Sequence, residues 1–292
     1  METSLVCRTR PASSLPNEWD CCGKWYRASF GRESGPVDTA DYKVPVLKLG
    51  PAPQVVKVYP TADVLPANVL RFTIYFSQPM RGGQEIFNQI RILGPDGKQI
   101  DEPWLLDEIW DESEQCLIIY IHPGRIKWGV ALRDAMGPVC YPDKEYALVI
   151  GGEVCDAAGR KLGKDYVKIF RTTEEDRVRI DLSAWKILPP AAESRQPVAV
   201  SLGKSIDHKS LQRLLTVRDA QGRSVAGTGT VGKDEKSWSF VPARAWQKGE
   251  YRIEVGGRLE DVAGNTPLRP FDLDLKAPPL PPQRLSSSFH PR

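Results

Sequence analysis

Gly227-Thr228-Gly229-Thr230-Val231-Gly232-Lys233-Asp234 matches G-x-G-x-x-G and lies one residue from the phosphate-binding pattern G-x-x-x-x-G-K-[ST]. Both patterns aim backbone N–H groups at a phosphate from the start of a helix, and the second needs a hydroxyl for magnesium where this chain has Asp234. The continuation, Glu235-Lys236-Ser237-Trp238-Ser239-Phe240, alternates like a strand and runs toward Pro242. The stretch therefore reads as a Gly-rich strand connection and not as a nucleotide site. Asp156 and Asp261 occupy D-x-x-G turns that offer one carboxylate each. A hard cation wants several oxygens, whereas a turn Asp has a role of its own, accepting backbone N–H bonds. The run from Asp101 to Glu112 is the strongest acidic cluster, which could hold a cation or a basic partner, although such a run is more often a solvated face with its apolar residues folded inward. His122, His208 and His290 lack ligand spacing, and no G-x-S-x-G, H-E-x-x-H or Cys-His signature is present. No catalytic residue, metal or cofactor is expected, and the chain is read as a non-enzyme.

One loop combines cations with an aromatic ring. Between Pro123 and Glu145 the chain carries Arg125, Lys127, Trp128 and Arg133, where a second, related stretch bridges the same interval with 14 fewer residues. Loops of this kind carry binding, so these four side chains would meet a glycan or an acidic ligand; otherwise Trp128 caps the end of its domain. Near the C-terminus, Pro279-Leu280-Pro281-Pro282-Gln283-Arg284 fits the polyproline pattern P-x-x-P-x-R but reads as part of a solvated, extended tail.

The elements that must position these residues come from a repeat. Glu145-Tyr146-Ala147-Leu148-Val149-Ile150-Gly151-Gly152, running on to Asp156 and Gly159, returns without a gap as Glu250-Tyr251-Arg252-Ile253-Glu254-Val255-Gly256-Gly257, running on to Asp261 and Gly264. Alternating apolar positions, a Gly-Gly break and a D-x-x-G turn describe the closing hairpin of an all-β unit. Upstream, Phe72, Ile74 and Phe76 alternate with Arg71, Thr73 and Tyr75, which places one side on a core and the other toward water. Val198, Val200 and Leu202 repeat that parity. Leu117, Ile119 and Ile121 are answered by Trp238 and Phe240, and the final strands are read as 167–170 and 271–275. Six or seven short strands per unit give two tandem immunoglobulin-like β-sandwiches. The expected order is an irregular segment at 1–50, a first Ig-like domain at 51–173, a connector at 174–190 with Trp185 as a plug between the units, a second domain at 191–276, and a disordered tail at 277–292.

Forty basic and 37 acidic side chains leave a formal net charge of +3, too small a field to collect nucleic acid. Apolar runs are strand length, far short of the roughly 20 residues of a membrane helix. No export signal is read at the N-terminus. Six cysteines are absent from the second repeat, so the scaffold does not depend on disulfides; Cys116 and Cys155 are read as free thiols unless their strands are neighbours.

With the strands placed, Ile74-Tyr75-Phe76-Ser77-Gln78-Pro79-Met80 followed by the D-x-x-G hairpin resembles the bacterial Ig-like domains of S-layer and other envelope proteins. The second unit, ending Leu259-Glu260-Asp261-Val262-Ala263-Gly264-Asn265, looks like a divergent copy without the F-S-x-P-M signature. The resemblance implies a structural or interaction module in an extracytoplasmic setting, with protein or glycan partners at the cell surface and no catalytic residues.

Overall fold

The structure is a computed structural model that describes residues 50–292 other than 274, 275, 277 and 279, together with the backbone of two strands at 25–30 and 38–43. The chain divides into two compact units, Met1–Pro51 and Ala52–Arg292. In the first, β1 (Trp25–Phe30) pairs antiparallel with β2 (Asp38–Lys43), Trp25 opposite Lys43 and Phe30 opposite Asp38. This hairpin corrects the expectation of an irregular segment. Its aromatic residues favour extended backbone although no two-residue period announces it. Trp19, Cys7, Cys21 and Cys22 lie outside the described residues.

Residues 52–292 hold two sandwiches of immunoglobulin type. In the first, β3 (Val55–Tyr59), β5 (Arg71–Phe76), β8 (Cys116–Ile121) and β7 (Trp104–Trp110) form one sheet in that order. The facing sheet runs β4 (Val64–Pro66), β10 (Tyr166–Thr173), β9 (Glu145–Ile150) and β6 (Ile90–Leu93). In the second, β11 (Lys186–Leu188), β12 (Val198–Ser201), β15 (Ser237–Pro242) and β14 (Gly227–Val231) face β13 (Leu215–Asp219), β16 (Tyr251–Val255) and β17 (Ser286–Phe289). Both follow the A-B-E-D against G-F-C order of Ig domains. Short helices lie in the connections: α1 (Ile86–Gln89), α2 (Pro123–Ile126), α3 (Ala131–Met136) and α4 (His208–Leu214).

Period-two alternation aims one side of each strand inward, and those residues make two separate cores. Phe72, Ile74, Leu117, Ile119, Leu148 and Phe170 fill the first; Val198, Val200, Trp238 and Ile253 fill the second, joined by Trp246 from the β15–β16 connection. The repeated tyrosine does the same work twice. Tyr146 stacks on its cross-strand partner Phe170 (centroids 5.8 Å apart) and Tyr251 on Phe289 (5.6 Å). Each hydroxyl accepts a hydrogen bond from a backbone N–H a few residues upstream, Tyr141 at 2.8 Å and Gln247 at 3.0 Å, the tyrosine corner of Ig sandwiches.

Four further expectations are corrected. The second sandwich closes with β17 and not with 271–275: Phe271 instead packs against the first core, so its stretch leaves the second domain. From residue 280 on the tail is correspondingly structured, because Phe289 is buried in the second core and Gln283 donates to the Ile180 and Pro267 carbonyls. Trp185 belongs to the second core and is no plug between units. Finally, Thr73 on the outer side of β5 is buried, since the second domain covers it.

Candidate functional site

The outer face of the β5–β8 sheet meets α4, which connects β12 to β13, and a cluster of charged side chains gathers at this joint. Asp207 caps α4 by accepting from the Ser210 N–H at 2.8 Å. It also takes Arg71 in a two-pronged pair, Nε–Oδ2 at 3.1 Å and Nη2–Oδ1 at 3.0 Å. Glu260 holds Nη1 of the same guanidinium at 2.6 Å, and Nη1 donates to the Tyr120 hydroxyl at 3.0 Å. Burial alone would lower the Arg71 pKa; Asp207 and Glu260 outweigh it and raise it. Beside this group His208 stacks on Tyr59 at 3.7 Å, and its pKa is lowered by burial. Lys209 lies 3.8 Å from Asp111 and 5.4 Å above the Tyr75 ring.

A second corner is built by the glycine-rich stretch. β14 lies against Trp238 and Phe240 of β15, so closely that a Cβ at Gly229 would come within 2.9 Å of the Trp238 indole nitrogen. A 3₁₀ turn over Lys233–Glu235 follows. It presents Glu235, only 1% exposed, to the first domain, where Thr61 donates its backbone N–H at 2.8 Å and its hydroxyl at 2.6 Å. Burial raises the Glu235 carboxyl above its usual value, against the pull of the Thr61 bonds. Lys168, facing inward from β10, donates to the Thr61 and Ala62 carbonyls at 3.2 and 3.1 Å, and burial lowers its pKa. The turn that ends the stretch resembling a phosphate loop thus carries, in Glu235, an interdomain clamp.

The third corner is the second D-x-x-G turn. Asp261 accepts from the Ala263 and Asn265 N–H groups at 2.9 and 2.8 Å and from Lys204 at 2.6 Å. Lys204 also meets Asp176 of the connector at 2.7 Å. Burial acts to lower the Lys204 pKa, but the two aspartates leave it raised. Asn68 and Asn265 both donate to the Asp176 carbonyl at 2.9 Å, and Leu70 N–H donates to the Val262 carbonyl at 2.8 Å. In the first domain, Asp156 instead serves its own turn, binding Ala158 and Arg160 N–H groups and the Arg160 guanidinium. Both turn carboxylates are thus filled by N–H donors and a cation. Among the described residues no group of three His, Cys, Asp or Glu side chains is arranged to hold a metal.

The four loop residues singled out in the sequence fall at the fourth corner. Arg125 is buried, its guanidinium donating to the carbonyls of Asp101, Met136, Gly137 and Pro138, and burial lowers its pKa. Arg133 donates to the Arg125 and Ile126 carbonyls and pairs with Glu175 at 2.6 Å. The Lys127 ammonium lies 4.8 Å over the Phe271 ring. Trp128 is 64% exposed; Arg177 lies 4.1 Å from its ring, and its backbone N–H donates to Asp272 at 3.0 Å. Arg177 in turn pairs with Glu175 and Asp272. The loop therefore docks the connector and the 265–272 stretch. The acidic run lies largely on β7, where Trp104 turns into the core and Asp107 into solvent.

Sequence reading missed Arg71, Asp207, Glu235 and Glu260. The usable signal is the outer side of β5 and β8, which reads Arg-Thr-Tyr beside Ile118 and Tyr120, less polar than a face left to water. Cys116 and Cys140 are buried free thiols and Cys155 is a half-buried one; burial pushes Cys140 up to about 12. No helix among the described residues is long and apolar enough to cross a membrane.

No family model matches the chain. No curated protein matches it either. Among solved structures it is similar to native alpha-2-macroglobulin from Escherichia coli spanning domains MG0-NIE-MG1, at 12% identity and a TM-score of 0.28, over 71% of this chain and 67% of that one. It is also similar to surface layer protein SbsC, domains 1-6 (15%, 0.29, 70% and 24%), and to a chimeric titin Z1Z2 (10%, 0.21, 70% and 89%). The match thus spans about a quarter of the S-layer chain. At these scores no residue role is carried over from any of them.

Proposed function

We propose that residues 52–292 act as a non-catalytic interaction module in which two Ig-like sandwiches are held as one body, as part of a cell-envelope or secreted protein. The observation that carries this reading is the joint itself: Arg71, bound at once by Asp207, Glu260 and Tyr120, joins residues of both domains in a site largely shielded from water. A freely swivelling linker would not bury a charge between domains, because a buried charge costs several kcal/mol if its partners leave. The test is calorimetric unfolding. One cooperative transition for residues 52–292, splitting into two on Arg71→Ala, supports the module; two transitions in the unmutated chain overturn it. The extracytoplasmic placement is tested by fractionating cells of the native host.

A second reading, recognition of glycan or another surface polymer through the inserted loop, is favoured by one observation, the exposure of Trp128. Trp128→Ala should then abolish binding to cell-wall material while melting is retained; unchanged binding removes this reading.

A further inference from the structure

Most of the charge at the joint is neutralised, and one groove is not. It lies between the outer face of β8 and α4, has a volume of about 410 Å³, and is lined by Arg71, Lys209, Arg213 and Arg258 against only two carboxylates, Asp207 and Glu260. Both carboxylates are committed to Arg71. Arg213 and Arg258 are exposed, and among the described residues neither guanidinium has an ion pair or a side-chain hydrogen bond. A cleft lined mainly by one sign of charge concentrates its field on a ligand of the other sign, and guanidinium groups match carboxylates with two parallel N–H···O bonds. The uncharged lining is two aliphatic side chains, Ile118 and Leu214, with the hydroxyl residues Thr73 and Ser210 beside them, and the exposed Ile109 pairs across the strands with Ile118. The nearby Tyr120 ring has the Arg71 guanidinium 5.6 Å from its centroid.

We propose that this interdomain groove binds an acidic peptide segment of a partner protein, its Asp or Glu carboxylates taken by Arg213 and Arg258 and its apolar side chains laid on Ile118 and Leu214. Aliphatic walls suit a peptide, whereas a sugar ring is best held by an open aromatic face. The inference rests on the reading of the chain as an interaction module. Both sandwiches are required, since Ile118 comes from one and the arginines from the other.

The experiment is fluorescence anisotropy of fluorescein-labelled hexaglutamate with the full chain, against R213E/R258E, Trp128→Ala and an oligogalacturonate competitor. Expected are saturable binding that weakens with salt, a loss of about tenfold or more in R213E/R258E, as for two charge-assisted pairs, no change in Trp128→Ala, and poor competition by the acidic sugar. Absence of saturable binding, or equal binding by R213E/R258E, overturns the proposal. Competition by oligogalacturonate as strong as by unlabelled hexaglutamate overturns the peptide assignment in favour of an acidic saccharide. If R213E/R258E melts below the unmutated chain, R213Q/R258Q reads the same loss without charge reversal. Calorimetry on the same samples tests the module reading separately.

Discussion

The two copies of the repeated hairpin, 145–159 and 250–264, share a sequence pattern and differ in what surrounds them. In the first, β9 pairs with β10, and Asp156 and Gly159 finish a turn that serves its own domain. In the second, β16 pairs with β17, and the turn at Asp261 to Gly264 is pressed against the other sandwich. A Cβ at Gly159 would meet nothing within 4 Å; one at Gly264 would lie 2.4 Å from the Leu70 side chain. A motif that is only a cap at a free end becomes a fastening where a neighbour abuts it.

The comparison breaks first at the stacked pairs. If Phe289 is the true counterpart of Phe170, then Phe170→Ala and Phe289→Ala should each cost about 3–5 kcal/mol in urea unfolding; a Phe289→Ala variant as stable as the unmutated chain would remove β17 from the second fold. Next come the aspartates. Asp261→Ala strips two buried N–H groups and Lys204 of their partner at a domain boundary, and should cost about 3–5 kcal/mol, whereas Asp156→Ala should cost about 1–3 kcal/mol. Equal losses would mean that the two turns are equivalent after all.

The glycines give a smaller contrast. Both have positive φ, +80° and +82°, so alanine at either position carries the left-handed penalty of about 1–2 kcal/mol. Gly264→Ala should add a further overpacking cost of about 1–3 kcal/mol against Leu70, seen as a lower Tm than Gly159→Ala. The smallest effect concerns the clamp. Because Glu235 has a raised pKa, the folded state holds its proton more tightly than the unfolded chain does. The stability this supplies is complete below the ordinary value of 4.5 and is lost as pH rises through the raised one. Glu235→Gln should change stability by no more than about 1 kcal/mol at neutral pH and flatten the pH dependence above 4.5; an unchanged pH profile would argue against burial of that carboxyl.

Much of the fold was legible because sandwich strands obey a simple rule. Phe72, Ile74 and Phe76 recur in parity as Val198, Val200 and Leu202, and all six are buried. The misreadings share a cause. Phe271 to Leu275 alternates as a strand should, yet Phe271 is drawn to the other core and Asp272 to Arg177, contacts that no local pattern encodes. Ser286–Phe289 shows no alternation, its only signal being one phenylalanine in a serine run. The joint was hidden for the same reason, since Arg71 and Asp207 are 136 positions apart and each looks like an ordinary surface charge until the domains meet.

The displaced closing strand also sets an order of events. Fifteen residues, 151–165, separate β9 from β10, while thirty, 256–285, separate β16 from β17. Doubling a loop costs only about 0.6 kcal/mol of closure entropy, so the finished fold hardly registers the detour. A chain made from its N-terminus registers it as time. The second sandwich must wait twice as long as the first for its last strand, and through that interval β16 offers an unpaired edge and Tyr251 an uncovered ring, while the first sandwich has already received all its strands.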